Sequence, residues 1–327
     1  MAIANGAGEK DLVIVLISGG GSALLELLPQ EISLRDIAAF NETLLSCGAH
    51  IEEMNTLRKH ISLVKGGQLA RAIAPAQAVS LILSDVIGDP LDSIASGPTV
   101  PDNSSFADCQ NVIQKYNLNE QLPKSIKSYL RQGMDGEIPE TPFPGDPTYE
   151  RMQNIILGNN LLALQVLQKT ATEAGYHTLL LTDRTQGEAR EAGQLLAGIM
   201  QSAFSGVNSM KAPGCLILGV EPTVTIKGKG KGGRNQELTL AFLIAMGRHT
   251  QPFYFCSLGT DGTDGPTEAA GAWVDQHSFQ KALDLGLDMQ NYLNNNDSFH
   301  FFEKMGQLIF TGPTKTNVMD IIFCLYD

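Results

Sequence analysis

Several stretches of this sequence carry residue types that can hold or transfer a charged group. The first is the apolar run Leu12–Ile17 followed by Ser18-Gly19-Gly20-Gly21-Ser22. A branched apolar run that stops at serines and glycines reads as a buried strand feeding a turn. Glycines there let backbone N–H groups approach an anion, and a helix starting near Ser22 aims more N–H groups at it. A plain strand-to-helix turn accounts for the same composition. The stretch matches neither GxxxxGKS/T nor GxGxxG.

A second apolar run, Val79–Leu83, ends in Ser84-Asp85-Val86-Ile87-Gly88-Asp89. Asp85 and Asp89 at the carboxyl end of a strand suit Mg²⁺, which takes one or two carboxylates plus phosphate oxygens. The alternative is a turn with Asp85 as a helix cap. Ser96-Gly97-Pro98-Thr99 follows closely. In "NTLRKHISLVKGG", Asn55, Lys59 and Arg58 fall near one helical face and Lys65 leads into Gly66-Gly67. They are anion ligands or a solvated basic face.

The richest segment is Glu221–Glu237, where Lys227, Lys229, Lys231 and Arg234 are interleaved with glycines. Glycine is expected to give reach and positive φ, and the cations the charge for a phosphate or carboxylate. Arg234, at a helix start with Asn235 and Glu237 beside it, can grip an oxyanion bidentately. A flexible hairpin tip is the weaker reading, because Arg234-Asn235-Gln236-Glu237 meets an apolar helix. Gly259–Pro266 brings Asp261, Thr263 and Asp264 after another strand, suited to a cation or sugar hydroxyls but without EF-hand spacing. Thr311–Thr314 with Thr316 and Asn317 forms a further polar loop.

Other chemistries lack support. The six histidines show neither HxxxH nor HExxH spacing, and no GxSxG elbow is present, which disfavours zinc and serine hydrolases. The five cysteines are scattered without a CxxC pair, as expected of reduced, buried thiols. With 23 Lys+Arg against 35 Asp+Glu, the formal charge is −12 and no basic stripe offsets it. Nucleic acid and anionic membranes are therefore poor partners. No apolar run reaches the roughly 18 residues of a membrane helix, and the first residues do not read as a signal peptide. A cytoplasmic location is expected, with a mitochondrial address open for a longer form.

The elements that must position these residues alternate between strand and helix, which predicts an α/β fold of about two domains for 327 residues. Strands are expected at Leu12–Ile17, Val79–Leu83, Asn154–Leu157, Tyr176–Leu181, Cys215–Val220, Thr223–Lys227, Pro252–Leu258 and Asp320–Leu325. Helices are expected at Leu34–Cys47, Ile51–Ile73, Phe106–Tyr116, Lys124–Arg131, Leu161–Ala174, Glu188–Phe204 and Asn235–Met246. The proline- and glycine-rich stretch within 133–150 reads as a linker between domains at 1–132 and 151–327. Only two strands are evident in the first region, fewer than a covered parallel sheet usually has, so its sheet is expected to lack an N-terminal part.

Taken together, "LISGGGSALL", "NTLRKHISLVKGGQLA", "LILSDVIGDPLDSIASGPTVPD", "GNN" at Gly158–Asn160, "EPTVTIKGKGKGGRNQE", "LGTDGTDGPTEAAGAWVD" and "TGPTKTNV" resemble the class II glycerate kinases. The resemblance runs in order through nearly the whole chain. It implies a Rossmann-like parallel sheet, shortened at its N-terminus, followed by a MOFRL-type mixed α/β domain. It further implies phosphorylation of D-glycerate to 2-phosphoglycerate with ATP and Mg²⁺, in a cleft between the domains. Ser18, Gly19, Gly20, Gly21 and Ser22 would hold a phosphate or the substrate carboxylate. Asp85 or Asp89 would hold the metal, and Arg234 would stabilise developing charge. Asn55, Arg58, Lys65, Lys229, Asn235, Glu237, Asp261, Thr263 and Asp264 complete the expected binding set. A homodimer is left open.

Two departures stand out. Family members begin earlier and carry a Gly-Lys-Ala segment whose lysine is thought to act in catalysis, and that lysine has no counterpart here. Weak or absent turnover is therefore expected, the alternative being an inactive form that still binds nucleotide or glycerate. The family also usually has glycine where this chain has Lys315.

Overall fold

Runs of Val, Ile and Leu bounded by turn residues become strands, and those strands fall into two sheets. The structure, a computed structural model, describes residues 1–207 and 209–327. It divides into two units, Met1–Leu157 and Gly158–Asp327.

The first unit carries three strands, β1 (Leu12–Ile17), β2 (Gln77–Leu83) and β3 (Met152–Gly158), side by side in that order. β1 and β2 run parallel, with Leu12 opposite Gln77 and Ile17 opposite Ile82. Their carboxyl ends, and the polar stretches that follow, therefore lie next to each other. Helices Leu34–Ser46, Ile51–His60, Phe106–Lys115 and Lys124–Met134 enclose a core that includes Phe40, Leu44, Leu57, Ile61, Phe106 and Ile126. Capping boxes fix two of their starts, Ser33 with Asp36 and Ser105 with Asp108.

The long helix expected over Ile51–Ile73 is two helices, Ile51–His60 and Gln68–Ile73. The break has local causes. The Ser62 hydroxyl accepts from the N–H groups of Val64 and Lys65, competing with helical bonding. Gly66 and Gly67 then adopt left-handed φ of +54° and +79°. The stretch 133–150 packs within the first unit. The Thr141 hydroxyl donates to Asp102, the Asp102 N–H donates to the Pro142 carbonyl, and Glu140 meets His60.

In the second unit β4 (His177–Glu188), β5 (Gly214–Thr223), β6 (Phe253–Gly259), β7 (Gly271–Asp275), β8 (Leu308–Ile309) and β9 (Asp320–Tyr326) form one sheet in the order β4-β5-β9-β6-β7-β8. Only β4 and β5 are parallel, so the sheet is mixed. Helix Arg234–Met246 is apolar around most of its circumference and is buried accordingly, with Leu238, Phe242 and Leu243 against Phe255, Phe301 and Phe302. Gly193 allows helix Ala189–Phe204 to lie against it, since a Cβ there would collide with the Leu238 carbonyl.

The strand expected over Thr223–Lys227 does not form. β5 ends at Thr223 and the chain enters the glycine-rich loop. β7, β8 and the short helices Ser278–Asp284, Met289–Asn294 and Ser298–Met305 leave no signal in the sequence, because each is too short to show a periodicity.

Candidate functional site

Each unit gathers part of the expected set around a cavity of its own. In the first unit, Ser22, Glu26, Asn41, Arg58 and Lys65 line a cavity of about 300 Å³. β1 delivers Ser22 through a turn in which Gly20 takes the left-handed φ of +78°. Gly21 permits the approach of Ala95, whose Cβ would lie 2.9 Å from a Cβ at 21. Arg58 projects from helix Ile51–His60, and its Nε donates to Asn41 Oδ1 at 3.1 Å. Lys65 is buried and paired with Glu26, whose other oxygen accepts from Ser62 at 2.6 Å. Two cations and one anion leave this cavity with one net positive charge, carried by Arg58. Burial lowers the Arg58 guanidinium pKa, and the charge of Glu26 opposes that shift only in part.

The turn itself differs from the expected cradle of bare amides. The Gly21 N–H donates to the Ser18 carbonyl, and the following helix, Gly21–Leu24, is a single turn. The part of this stretch that reaches the cavity is the side of Ser22. Its hydroxyl meets Ser96 Oγ at 2.7 Å, and Ser96 Oγ donates to Asn55 Oδ1 at 3.5 Å. Ser96 lies in a left-handed run, Ala95, Ser96 and Gly97, with φ of +51°, +60° and +62°. The Gly66 and Gly67 N–H groups donate to the Ser96 and Gly97 carbonyls at 2.9 and 2.7 Å, which locks the run in place. Lys59 points elsewhere, to Asp102 at 3.3 Å and Asp92 at 3.7 Å.

Asp85 follows β2, as expected, and is half-buried. Burial raises its pKa, and no ion pair engages it among the described residues. Asp89 sits in the same loop with a left-handed φ of +55°. No group of three His, Cys, Asp or Glu side chains is arranged for a metal among the described residues. Asp85 still fits a Mg²⁺ held mainly by substrate phosphates, because a desolvated carboxylate gains from a cation.

The second unit holds a larger cavity of about 670 Å³. Its wall combines Pro222, Val224, Ile226 and Pro266 with Glu221, Arg234, Asp261, Thr263 and Asn317. An apolar wall with a few convergent polar groups is the usual make-up of a small-molecule site. Arg234 grips a carboxylate bidentately, as its type suggested, but the carboxylate is this chain's own Asp320. Nε donates to Asp320 Oδ2 at 2.5 Å and Nη2 to Oδ1 at 2.9 Å. Nη1 remains on the side of Glu221, 3.7 Å away. Burial lowers the Arg234 pKa, but the bond to Asp320 and the charges of Asp320, Glu221 and Asp264 outweigh it and raise the pKa overall.

Asn235, Glu237 and Asp264 do structural work beside Arg234. Asp264 caps the helix, accepting from the N–H groups of Asn235 and Gln236 at 3.0 and 2.9 Å. Asn235 accepts from Ser257, while Glu237 accepts from Arg190 and Asn296. Lys229 lies exposed outside the cavity wall, its N–H bonded to Asn295. Asp261 accepts from the Thr263 N–H and shapes its own turn.

The loop glycines serve a purpose other than the one expected. None of Gly228, Gly230, Gly232 and Gly233 has positive φ. They permit contact: a Cβ at 228, 230 or 232 would collide with Asn295, Asp297 or Ser298, and one at 233 with Asp264. Hydrogen bonds from Lys227, Gly228 and Lys231 to Asn296 and Asp297 hold the loop down. Gly233→Ala is therefore expected to destabilise the fold by about 1–3 kcal/mol, measured by urea unfolding.

Burial pushes the Asp264 carboxyl up to about 6, a rise that its bonds from Asn235 and Gln236 only partly oppose. A pKa raised on folding contributes stability in full below the ordinary 3.8, and that contribution is lost as pH rises through about 6. The unfolding free energy of the protein relative to Asp264→Asn should therefore fall by about 2 kcal/mol between pH 4 and 7. Lys315, where glycine was expected, takes a left-handed φ of +63°. Lys315→Gly should raise stability by about 1 kcal/mol in the same assay.

Sequence reading missed Glu26, Asn41 and Asp320. Asp320 left a trace, a carboxylate at the head of an apolar run. All five cysteines are free, and burial raises the thiols of Cys109, Cys215, Cys256 and Cys324, which makes them poor nucleophiles. No helix is long and apolar enough to cross a membrane among the described residues.

Comparison with known proteins finds two family matches in the chain. A family described as a domain of unknown function, DUF4147, matches residues 1–131, and the MOFRL family matches residues 214–320. The chain is 40% identical over 326 residues to a glycerate 2-kinase of Pyrococcus horikoshii, covering 99% of this chain and 73% of that one. It is 42% identical over 320 residues to a D-glycerate 2-kinase of Thermotoga maritima, covering 97% and 73%. The crystal structure of a glycerate kinase from Thermotoga maritima superimposes with a TM-score of 0.91 at 41% identity, covering 100% of this chain and 75% of that one.

Proposed function

Because the chain belongs to the glycerate 2-kinase family, we propose that it transfers the γ-phosphoryl group of ATP to the 2-hydroxyl of D-glycerate, giving 2-phosphoglycerate and ADP. The hydroxyl oxygen forms the new bond to phosphorus as the bond to the β–γ bridging oxygen breaks. The hydroxyl proton passes to solvent. Such transfer needs mainly positioning and charge neutralisation.

The observation that carries this reading is the single net positive charge around the 300 Å³ cavity beside Ser22. A monoanion such as glycerate matches it in charge and fits within it. Arg58 would take the carboxylate and Ser22 a hydroxyl. In the second unit, the wall of Pro222, Val224, Ile226 and Pro266 suits the apolar faces of a nucleotide base. Arg234, with Nη1 turned away from Asp320, suits the charge that develops on the transferring group. Asp85 would hold Mg²⁺, which supplies further neutralisation of phosphate charge when bound.

The test is direct. The purified chain, with ATP, Mg²⁺ and D-glycerate, is expected to form 2-phosphoglycerate, detected by coupled enolase assay. Omitting ATP or chelating Mg²⁺ should abolish product. Stabilisation by glycerate without any product would mean that the chain holds its ligand and does not turn it over, and would defeat the proposal.

A further inference from the structure

We infer that Asn160 is a positioning residue for Arg234, acting through the turn that ends at Asp320. The inference rests on the reading that Arg234 serves the transferring phosphoryl group. Asn160 opens helix Asn160–Glu173 and is buried. Its Nδ2 donates to two carbonyls, Val318 O at 2.8 Å and Asp320 O at 3.1 Å. These carbonyls flank Met319, whose φ of +67° lies in the left-handed region that bulky side chains avoid.

The rest of the turn is closed by Thr260 and Asn317. The Thr260 N–H and hydroxyl donate to the Met319 carbonyl at 3.1 and 2.7 Å. The Val318 N–H donates to Thr260 Oγ1 at 2.9 Å, and the Met319 N–H to Asn317 Oδ1 at 3.0 Å. Asp320 leaves this turn with both carboxylate oxygens on Arg234. A bidentate pair tolerates little rotation, so the turn sets the direction in which the guanidinium points.

Two features are retained here at a cost to stability. One is the left-handed Met319. The other is Asn160 Oδ1, which is buried with no hydrogen-bond partner among the described residues. Gly219 makes room for it, since a Cβ at 219 would collide with that oxygen. Helix capping does not require Asn160, because Asn159 Oδ1 already accepts from the Leu162 N–H at 2.9 Å. Backbone strain and an orphaned polar atom tend to concentrate where a functional group must be held in one orientation. Here both converge on the carboxylate that holds Arg234.

The test is Asn160→Ala in the full chain, read on the Arg234 Nε–H NMR resonance, which is identified by its loss in Arg234→Lys. Hydrogen exchange at Nε is expected to become about tenfold faster in Asn160→Ala, because the bond to Asp320 opens more often. kcat for D-glycerate phosphorylation should fall about tenfold with KM within about threefold, since the interaction lost is one made in the transition state. Thr260→Ala loosens the same turn from its other side and should shift both readouts in the same direction, which covers the case in which Asn160→Ala does not fold. Unchanged Nε exchange in a folded variant, or faster exchange with unchanged kcat, would overturn the inference. A normal kcat in folded Arg234→Lys would overturn instead the reading of Arg234 on which it rests.

Discussion

Arg234→Ala is expected to lower kcat about a thousandfold while leaving KM for D-glycerate within a fewfold of the parent value. An arginine that meets charge on a transferring phosphoryl group contributes about 10³-fold or more, and contributes it in the transition state. The same substitution has a second, separable effect. Asp320 is buried, and burial already raises its pKa against the opposing influence of Arg234. Without the guanidinium, an uncompensated charge remains inside the protein, at a cost of about 3–5 kcal/mol. The double variant Arg234→Ala/Asp320→Asn removes that charge. It should recover much of the stability, measured by urea unfolding, and none of the turnover. If the double variant regains turnover as well, Arg234 acts only through the fold and its assigned part in phosphoryl transfer is wrong.

The sequence was most legible where a strand meets a polar stretch. Leu12–Ile17 and its serine–glycine turn, Val79–Leu83 and Asp85, and Arg234 at the head of an apolar helix all lie where their composition put them. In each case an apolar run is long enough to show a period and is ended by residues with a clear local task. Legibility failed where the reason for a residue type is tertiary. Gly228, Gly230 and Gly232 are glycines because of Asn295–Ser298, some 65 positions away in sequence, a contact that no local pattern announces. The prolines of 133–150 punctuate a segment that falls inside the first unit, where Thr141 and Glu140 bond to Asp102 and His60, partners distant in sequence. A pairing such as Lys65 with Glu26 crosses 39 positions, and it redefines which cation of the first cavity is free to meet a ligand.

That last point decides between the two basic residues of the first cavity. Arg58→Ala is expected to raise KM for D-glycerate about a hundredfold and to change kcat much less. Lys65 is neutralised by Glu26, so Arg58 supplies the net charge of the cavity, and an ionic hydrogen bond to a carboxylate is worth about 1.5–3 kcal/mol. Arg58 is bonded to Asn41, a neutral partner, so its loss leaves no unpaired charge and stability should fall only modestly. Lys65→Met behaves in the opposite way. It strands Glu26 in a mostly buried position and should destabilise the fold before any kinetic effect is read. Steady-state kinetics with saturating ATP, alongside melting temperatures of both variants, separates the cases. A normal KM in folded Arg58→Ala would mean that the substrate carboxylate lies elsewhere, and the assignment of the Ser22 cavity to glycerate would fall with it.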